Sequence, residues 1–536
     1  MKNQIYSAVL CSVLAGGVLS SCTDSFNDWN TNPNEATFEE MNRDNLLTGS
    51  NYATMQRGIF IVNDENGNGV YQRTQSLTAD LFSGYLANIK PSYDIGDIHH
   101  DHYFMVSHWY NAPFEFANTK IMEPYRQICR YADEASVDRA MATVLRVFGM
   151  HRVTDKYGPI VYSKFGSGIQ VGYDSQKDIY TSFFNELDEA INILGEYVDL
   201  NPGKNYLARY DHVYDGDVRR WVKFANTLRL RLAMRVSYVD KALATQQANA
   251  AINEVHGLMS SVADDAVLHQ GNGLTFTNPL WETTQSWPDQ RISATIDCYM
   301  NGYEDPRLSS YFTKNEKGLY RGARNGMTKI YSSVQTRASG INVGQYGDMP
   351  WMKHAEAYFL MAEAKLRLGV GDGSVKELYE RGVRASMESA GVATDKIEAY
   401  LESEALPLES WSNPNVRSDN ENEQTVSVKS MLSQVSPKFD DTADAEKQLE
   451  QIITQKWIAL FPDGMEAWSE IRRTGYPGWV RIETYANTSE VADNDIIRRL
   501  RFPSSEYSNN AANVSEAVRL LGGADNAGTH LWWDVK

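Results

Sequence analysis

Between residues 350 and 391 the chain repeats apolar and small residues at the spacing of an α-helix, stops at glycines, and starts again behind a capping box. Met352, Ala355, Phe359, Ala362 and Leu366 recur three and four residues apart, which puts them on one face of a helix. Asp348 and Pro350 suit its start, and Gly369 and Gly371 its end. Ser374 and Glu377 form an S-x-x-E box that opens a second helix, closed by Gly391. Alanines at 355, 357, 362 and 364 let neighbouring helices approach closely. The pair spans about one tetratricopeptide unit of ~34 residues. One such unit cannot bury its own apolar face, so several must stack.

Less regular versions of the pattern predict helices near 116–134 and 137–156, near 176–197 and 218–238, and near 445–461 and 464–474. The last two are split by Pro462-Asp463-Gly464, a turn sequence. Alternating strand patterns are scarce. The expected fold is all-α over residues 41–536, with tetratricopeptide-like helical hairpins as scaffold and little sheet. Two long irregular stretches, about 256–350 and 392–444, interrupt it. Loops of that length are usually functional or disordered, and the second, polar and acidic, reads as a mobile insertion.

At the N-terminus, Lys2 precedes an apolar run at 5–18. That run is shorter than the roughly 20 residues needed to cross a bilayer and has the length of a secretory h-region. Leu19-Ser20-Ser21-Cys22 follows and resembles the bacterial lipobox. Residues 1–21 are therefore read as a lipoprotein signal peptide, Cys22 as the lipidated residue, and 22–40 as a surface tether. A multi-chain lipid gives stable membrane attachment. Asp24 and Asp28 resemble the acidic signal that sends some bacterial lipoproteins to the outer surface.

The formal charge of −18 argues against nucleic acid as a partner, since nothing would offset phosphate repulsion. Of four cysteines, Cys11 leaves with the signal and Cys22 is lipidated; Cys129 and Cys298 are either bridged or free. Twelve Trp and thirty Tyr exceed what a core requires, and surplus aromatics serve ligand contact. A pyranose ring offers C–H groups on its face and hydroxyls at its rim, so flat aromatics beside Asn, Asp, Gln and Arg suit it. Phe276, Asn278, Trp281, Trp287, Asp289, Gln290 and Arg291 make such a cluster, stiffened by Pro279 and Pro288.

Several motifs recur in a characteristic order: Asn30-Thr31-Asn32-Pro33-Asn34, Thr154-Asp155-Lys156-Tyr157-Gly158-Pro159, Trp221 with Phe224 to Arg231, and Asp305-Pro306-Arg307-Leu308. Ala355 to Phe359, Gln455 to Pro477, Phe502 to Tyr507 and Leu531-Trp532-Trp533-Asp534 continue the series. Together they resemble the SusD/RagB family of outer-membrane nutrient-binding lipoproteins over nearly the whole mature chain; Thr227 stands where Ser is commoner. The resemblance implies an all-helical body without catalytic activity. It also implies capture of oligosaccharides, or sometimes peptides, for a SusC-like TonB-dependent transporter. The segment 80–104, with Tyr85, Asn88, Tyr93, Asp97, Tyr103 and Phe104, corresponds to a variable stretch that contributes to ligand contact in that family. The motif residues themselves read as scaffold: Arg229, Arg231 and Arg235 as ion pairs between helices, Trp457 and Trp468 as core.

His99, His100, Asp101 and His102 offer metal-ligating groups. No HExxH or CxxC pattern accompanies them, so they read as a solvated loop, and neither metal nor other cofactor is expected. No GxSxG elbow, P-loop or paired Cys/His signature points to an enzyme; a hydrolytic lipoprotein is the alternative from another class.

Overall fold

Side-chain caps set where the helices begin. In the computed structural model the described residues are 43–62, 68–93, 96, 98–417, 422 and 424–536. Cys22, the signal segment, the tether and Asp97 lie outside them. The main helices are α1 (Leu46–Ile59), α2 (Ser107–Ala117), α3 (Glu123–Tyr131), α4 (Val137–Tyr157), α5 (Gln176–Leu200), α6 (Val218–Arg235) and α7 (Lys241–Ile252). They continue with α8 (His354–Leu368), α9 (Val375–Ser389), α10 (Ala445–Leu460) and α11 (Gly464–Thr474). Ser136, Ser175, Asp217, Asp240, Ser374, Asp444 and Asp463 each accept a first-turn N–H, a cap whose loss costs about 1 kcal/mol. Gly369 and Gly475 end α8 and α11 in the left-handed conformation that glycine adopts without strain.

The helices stack as hairpins. α4, α5, α6 and α7 each pack on the next, α8 pairs with α9, α10 lies against α8, and α6 joins the two series by packing on α8. Helix accounts for 51% of residues against 6% in strand, so the all-α reading holds. Three two-stranded antiparallel ladders are the sheet among the described residues: β1 (Leu86–Asn88) with β3 (Gln290–Ile292), β2 (Ala266–Leu268) with β4 (Met349–Met352), and β5 (Ser410–Asn413) with β6 (Gln424–Ser427).

Two expectations change. The helix at 350 starts at His354 instead, because Met349 to Met352 are claimed by pairing with β2; Pro350 is tolerated in a strand with a free edge. The 392–444 insertion is anchored: the β5–β6 hairpin buries Trp411 completely, and its indole donates to Asp297 at 3.1 Å. Helix α7 escaped the pattern search because its buried stripe is only alanines and one glutamine (Ala244, Gln247, Ala248 and Ala251). Among the described residues no helix is long and apolar enough to cross a membrane. Cys129 and Cys298 are free thiols.

Where α6, α8, α10 and α11 converge, the core is ionic. Arg231 meets Glu356 at 2.5 Å, Arg235 meets Glu466 at 2.5 Å and Glu470 at 3.1 Å, and Arg473 bridges Glu363 and Glu470 at 2.6 Å each. Lys456 adds a contact to Glu470 at 3.0 Å, and Asp155 of α4 lies 3.3 Å from Arg235. Burial alone would raise the Glu470 carboxyl, but Arg473, Lys456 and Arg235 hold it well below the usual range. Each charge is compensated on the spot, which is the condition for carrying ions in a dry interior. Most of this network lies in the family-like motifs, with Arg235 and Glu363 just beyond them. Arg229, one face away, pairs with Asp188 at 2.9 Å and Gln247 at 2.7 Å. Trp457 and Trp468 are fully buried, their indoles donating to the carbonyls of Ser83 and Ile497.

Candidate functional site

The two aromatic segments singled out in the sequence meet in space. β1 and β3 pair Leu86 with Ile292, Ala87 with Arg291 and Asn88 with Gln290, and the ladder is prolonged by the Ile89 N–H donating to the Asp289 carbonyl at 2.9 Å. Short strands suffice because buried side chains fix the register: Gln290 exchanges hydrogen bonds with Ser76, at 2.9 Å to its hydroxyl and 3.0 Å to its carbonyl.

On one side of this seam a turn carries the tryptophans. Asn278 caps it, its Oδ1 accepting from the Leu280 N–H at 2.9 Å while its Nδ2 donates to the carbonyls of Gly347 and Asp348. The turn Pro279–Trp281 runs into a single wide turn at Glu282–Ser286. Trp281 and Trp287 flank that wide turn, both half-buried, and among the described residues neither ring packs on another. Arg291 pins the turn: it donates to the Thr284 carbonyl at 2.5 Å and, on the other side, to the Gln335 carbonyl at 2.9 Å. Burial without a carboxylate beside it lowers its guanidinium to about 10.

On the other side stands Tyr93. Its ring packs edge-on against His99 at 4.9 Å and Trp109 at 5.1 Å, with the Lys90 ammonium 4.7 Å above it. Its hydroxyl donates to Asn88 Oδ1 at 3.1 Å. Lys90 reaches Asp289 at 3.3 Å, and Gln72 donates to the same carboxylate at 2.8 Å. Burial raises the Asp289 carboxyl, with Lys90 and Gln72 pulling the other way. The two paired segments thus carry two half-buried indoles on one side and a half-buried phenol with an ammonium over it on the other.

Not every sequence candidate faces this surface. Tyr85 is buried, its hydroxyl donating to the Trp457 carbonyl and its ring packed on Trp457 and Phe461. Tyr103 is buried between Phe82 and Tyr485. Phe276 is core. Asn278 and Arg291 spend their hydrogen bonds on backbone, so they build the turn that presents the tryptophans. Phe104 is exposed. Sequence reasoning missed Lys90 and Gln72. Neither belongs to an aromatic cluster, and only the pairing of β1 with β3 brings them to Asp289.

The histidine run is also placed differently from expectation. His99, His100, Asp101 and His102 are all buried; they form a single turn of 3-10 helix closed by Tyr103 in the left-handed region, φ 59°. Tertiary packing overrides their polarity: His100 Nδ1 donates to the Leu77 carbonyl at 2.8 Å, and burial lowers its imidazole to about 4.

With this geometry in view, the chain was compared with known proteins. The model of the SusD-like family, SusD and RagB outer-membrane lipoproteins, matches residues 28–534. The chain belongs to the SusD-like family.

Solved structures agree. A chitin-binding SusD homologue from Flavobacterium johnsoniae is 35% identical, with TM-score 0.83 over 91% of this chain and 99% of its own. SusD homologues from Bacteroides vulgatus (33%, TM-score 0.82, 91% and 97% covered) and Bacteroides uniformis (33%, 0.80, 91% and 99%) are similar in the same way. No curated protein sequence matched. Several of the SusD-like motifs meet at the ionic core: Trp533 of the terminal motif donates to Asp155 of the helix-end motif at 2.8 Å. The candidate surface lies outside them.

Proposed function

We propose that this SusD-like protein captures oligosaccharide at the outer face of the outer membrane, held there by lipid on Cys22. It then delivers the glycan to a SusC-like TonB-dependent transporter without changing it chemically. The observation that carries the reading is the surface built across β1 and β3. Trp281 and Trp287 stand half-buried on a pinned turn of one segment and Tyr93 on the other, with the Lys90–Asp289 pair joining the two. Sugar rings lay their C–H faces on such aromatics, and their hydroxyls pair with the charged and amide groups at the edges. The chitin-binding relative makes oligosaccharides of N-acetylglucosamine the first ligands to test.

The test is calorimetric titration of the protein with a panel of soluble oligosaccharides, chito-oligosaccharides included, and with mixed peptides. Binding of a glycan, lost on truncating the tryptophans and leaving the ligand intact by mass spectrometry, is the expected result. Binding of peptides alone, or release of new reducing ends, overturns it. Delivery is tested separately by mild solubilisation and pull-down from cells grown on the inducing nutrient, which should recover a TonB-dependent barrel.

A further inference from the structure

Two imidazole nitrogens and a carboxylate oxygen converge behind Tyr93. Asp101 Oδ1 accepts the approach of His102 Nδ1 at 2.9 Å and of His99 Nδ1 still closer. The three potential ligand atoms lie within 4.8 Å of one another. The side chains of His99, Asp101 and His102 are 2%, 1% and 7% exposed, so water does not explain the cluster.

The outer partners decide what fills the centre. The Met327 backbone also neighbours the His102 ring. Asp101 Oδ2 is held separately by Asn88 Nδ2 at 3.2 Å, which orients the carboxylate and leaves Oδ1 for the centre. A ligating carboxylate braced by an amide in this way is common in divalent-metal sites. His99 Nε2 has no hydrogen-bond partner, so that ring's one polar contact is the one at the centre.

We propose that His99, Asp101 and His102 form a binding site for one zinc-class divalent cation. Two imidazoles and one carboxylate select a borderline ion over calcium or magnesium, which take all-oxygen shells. Three protein ligands leave a fourth position for water. The ion braces the turn on which the Tyr93 ring rests, and so stiffens one side of the proposed glycan surface. The site does not depend on the ligand being a glycan.

The test uses the full-length protein, stripped with a chelator, dialysed, and offered zinc alone. Bound zinc is measured by plasma mass spectrometry, and the melting temperature is read with and without the ion. One zinc per chain is expected, with a melting temperature several degrees higher. Asp101→Asn keeps the shape and the amide contact but loses the charge; it should retain less than a tenth of the zinc while still giving a cooperative melt. His108→Ala, an exposed histidine outside the cluster, should bind like the parent. Cobalt in place of zinc should give visible absorption bands of a four-coordinate site. Failure of the parent to hold stoichiometric zinc, or unchanged uptake by Asp101→Asn, overturns the proposal, whatever the oligosaccharide titrations show.

Discussion

The Lys90 ammonium stands 3.3 Å from the Asp289 carboxylate, joining the end of the first aromatic segment to the start of β3. Lys90 is 41% exposed and Asp289 5%, so the pair itself contributes little to stability, about 0–1 kcal/mol. Its value is positional. Lys90→Ala should melt within a few degrees of the parent yet bind oligosaccharide about tenfold more weakly, the size of one charge-assisted hydrogen bond. Parental affinity in calorimetry would remove Lys90 from the ligand surface.

Truncating the tryptophans separates stacking from packing. Trp281→Ala and Trp287→Ala should melt near the parent, and at least one should lose ~2 kcal/mol of binding, roughly thirty-fold. Trp457→Ala is the contrast. With a fully buried indole and its bond to Ser83 removed, it should lose about 3–5 kcal/mol of stability. If both surface variants bind like the parent, the ligand sits elsewhere.

The ionic core makes an opposite prediction. Arg235→Met leaves Glu466, Glu470 and Asp155 without their shared partner in a dry interior. Breaking one side of a buried pair costs about 3–5 kcal/mol, so this variant should unfold early in denaturant. Whatever fraction remains folded should bind ligand with parental affinity.

The scaffold was legible in the sequence and the ligand surface only half so, for a physical reason. Helical faces and caps are local: the Ser374–Glu377 box and the Gly369 stop could be read from spacing alone, and both are present. The site is non-local. Aromatic clustering singled out Trp281 and Trp287, which are half-buried on a turn, but the same cue included Tyr85 and Tyr103, which look identical in sequence and are core. Nothing in the one-dimensional pattern separates a phenol that packs on Trp457 from one that packs on Trp109 and solvent. The histidine run misled in the other direction, because four polar residues in succession read as solvated until tertiary packing covers them.

His256 supplies a test by pH. Its burial disfavours charge, but hydrogen bonds to Glu254 at 2.8 Å and Asp199 at 3.2 Å raise its pKa above the ordinary value. A raised histidine stabilises the fold fully below the unfolded value near ~6.5, and the contribution disappears as pH rises through the folded value. His256→Gln should therefore lower the melting temperature at pH 5.5 and much less at pH 9. An equal loss at both pH values would show that only packing beside Gly195 is involved.

Lipidation is tested in the native host. Cys22→Ala should run without the lipid-dependent mobility shift and leave the outer-membrane fraction. Normal retention of that variant in the membrane would falsify the anchor.

The ladder between β1 and β3 has a consequence for how the protein becomes competent. Its partners are far apart along the chain; Lys90 and Asp289 are separated by 199 positions. No fragment holding one of the two segments contains the proposed surface, and a chain in which they have not yet paired lacks it. On the proposed reading, the surface is complete only when the second segment docks on the first. Because the ladder is only three residue pairs long, the cooperativity of that step comes from the helical body on which both segments rest.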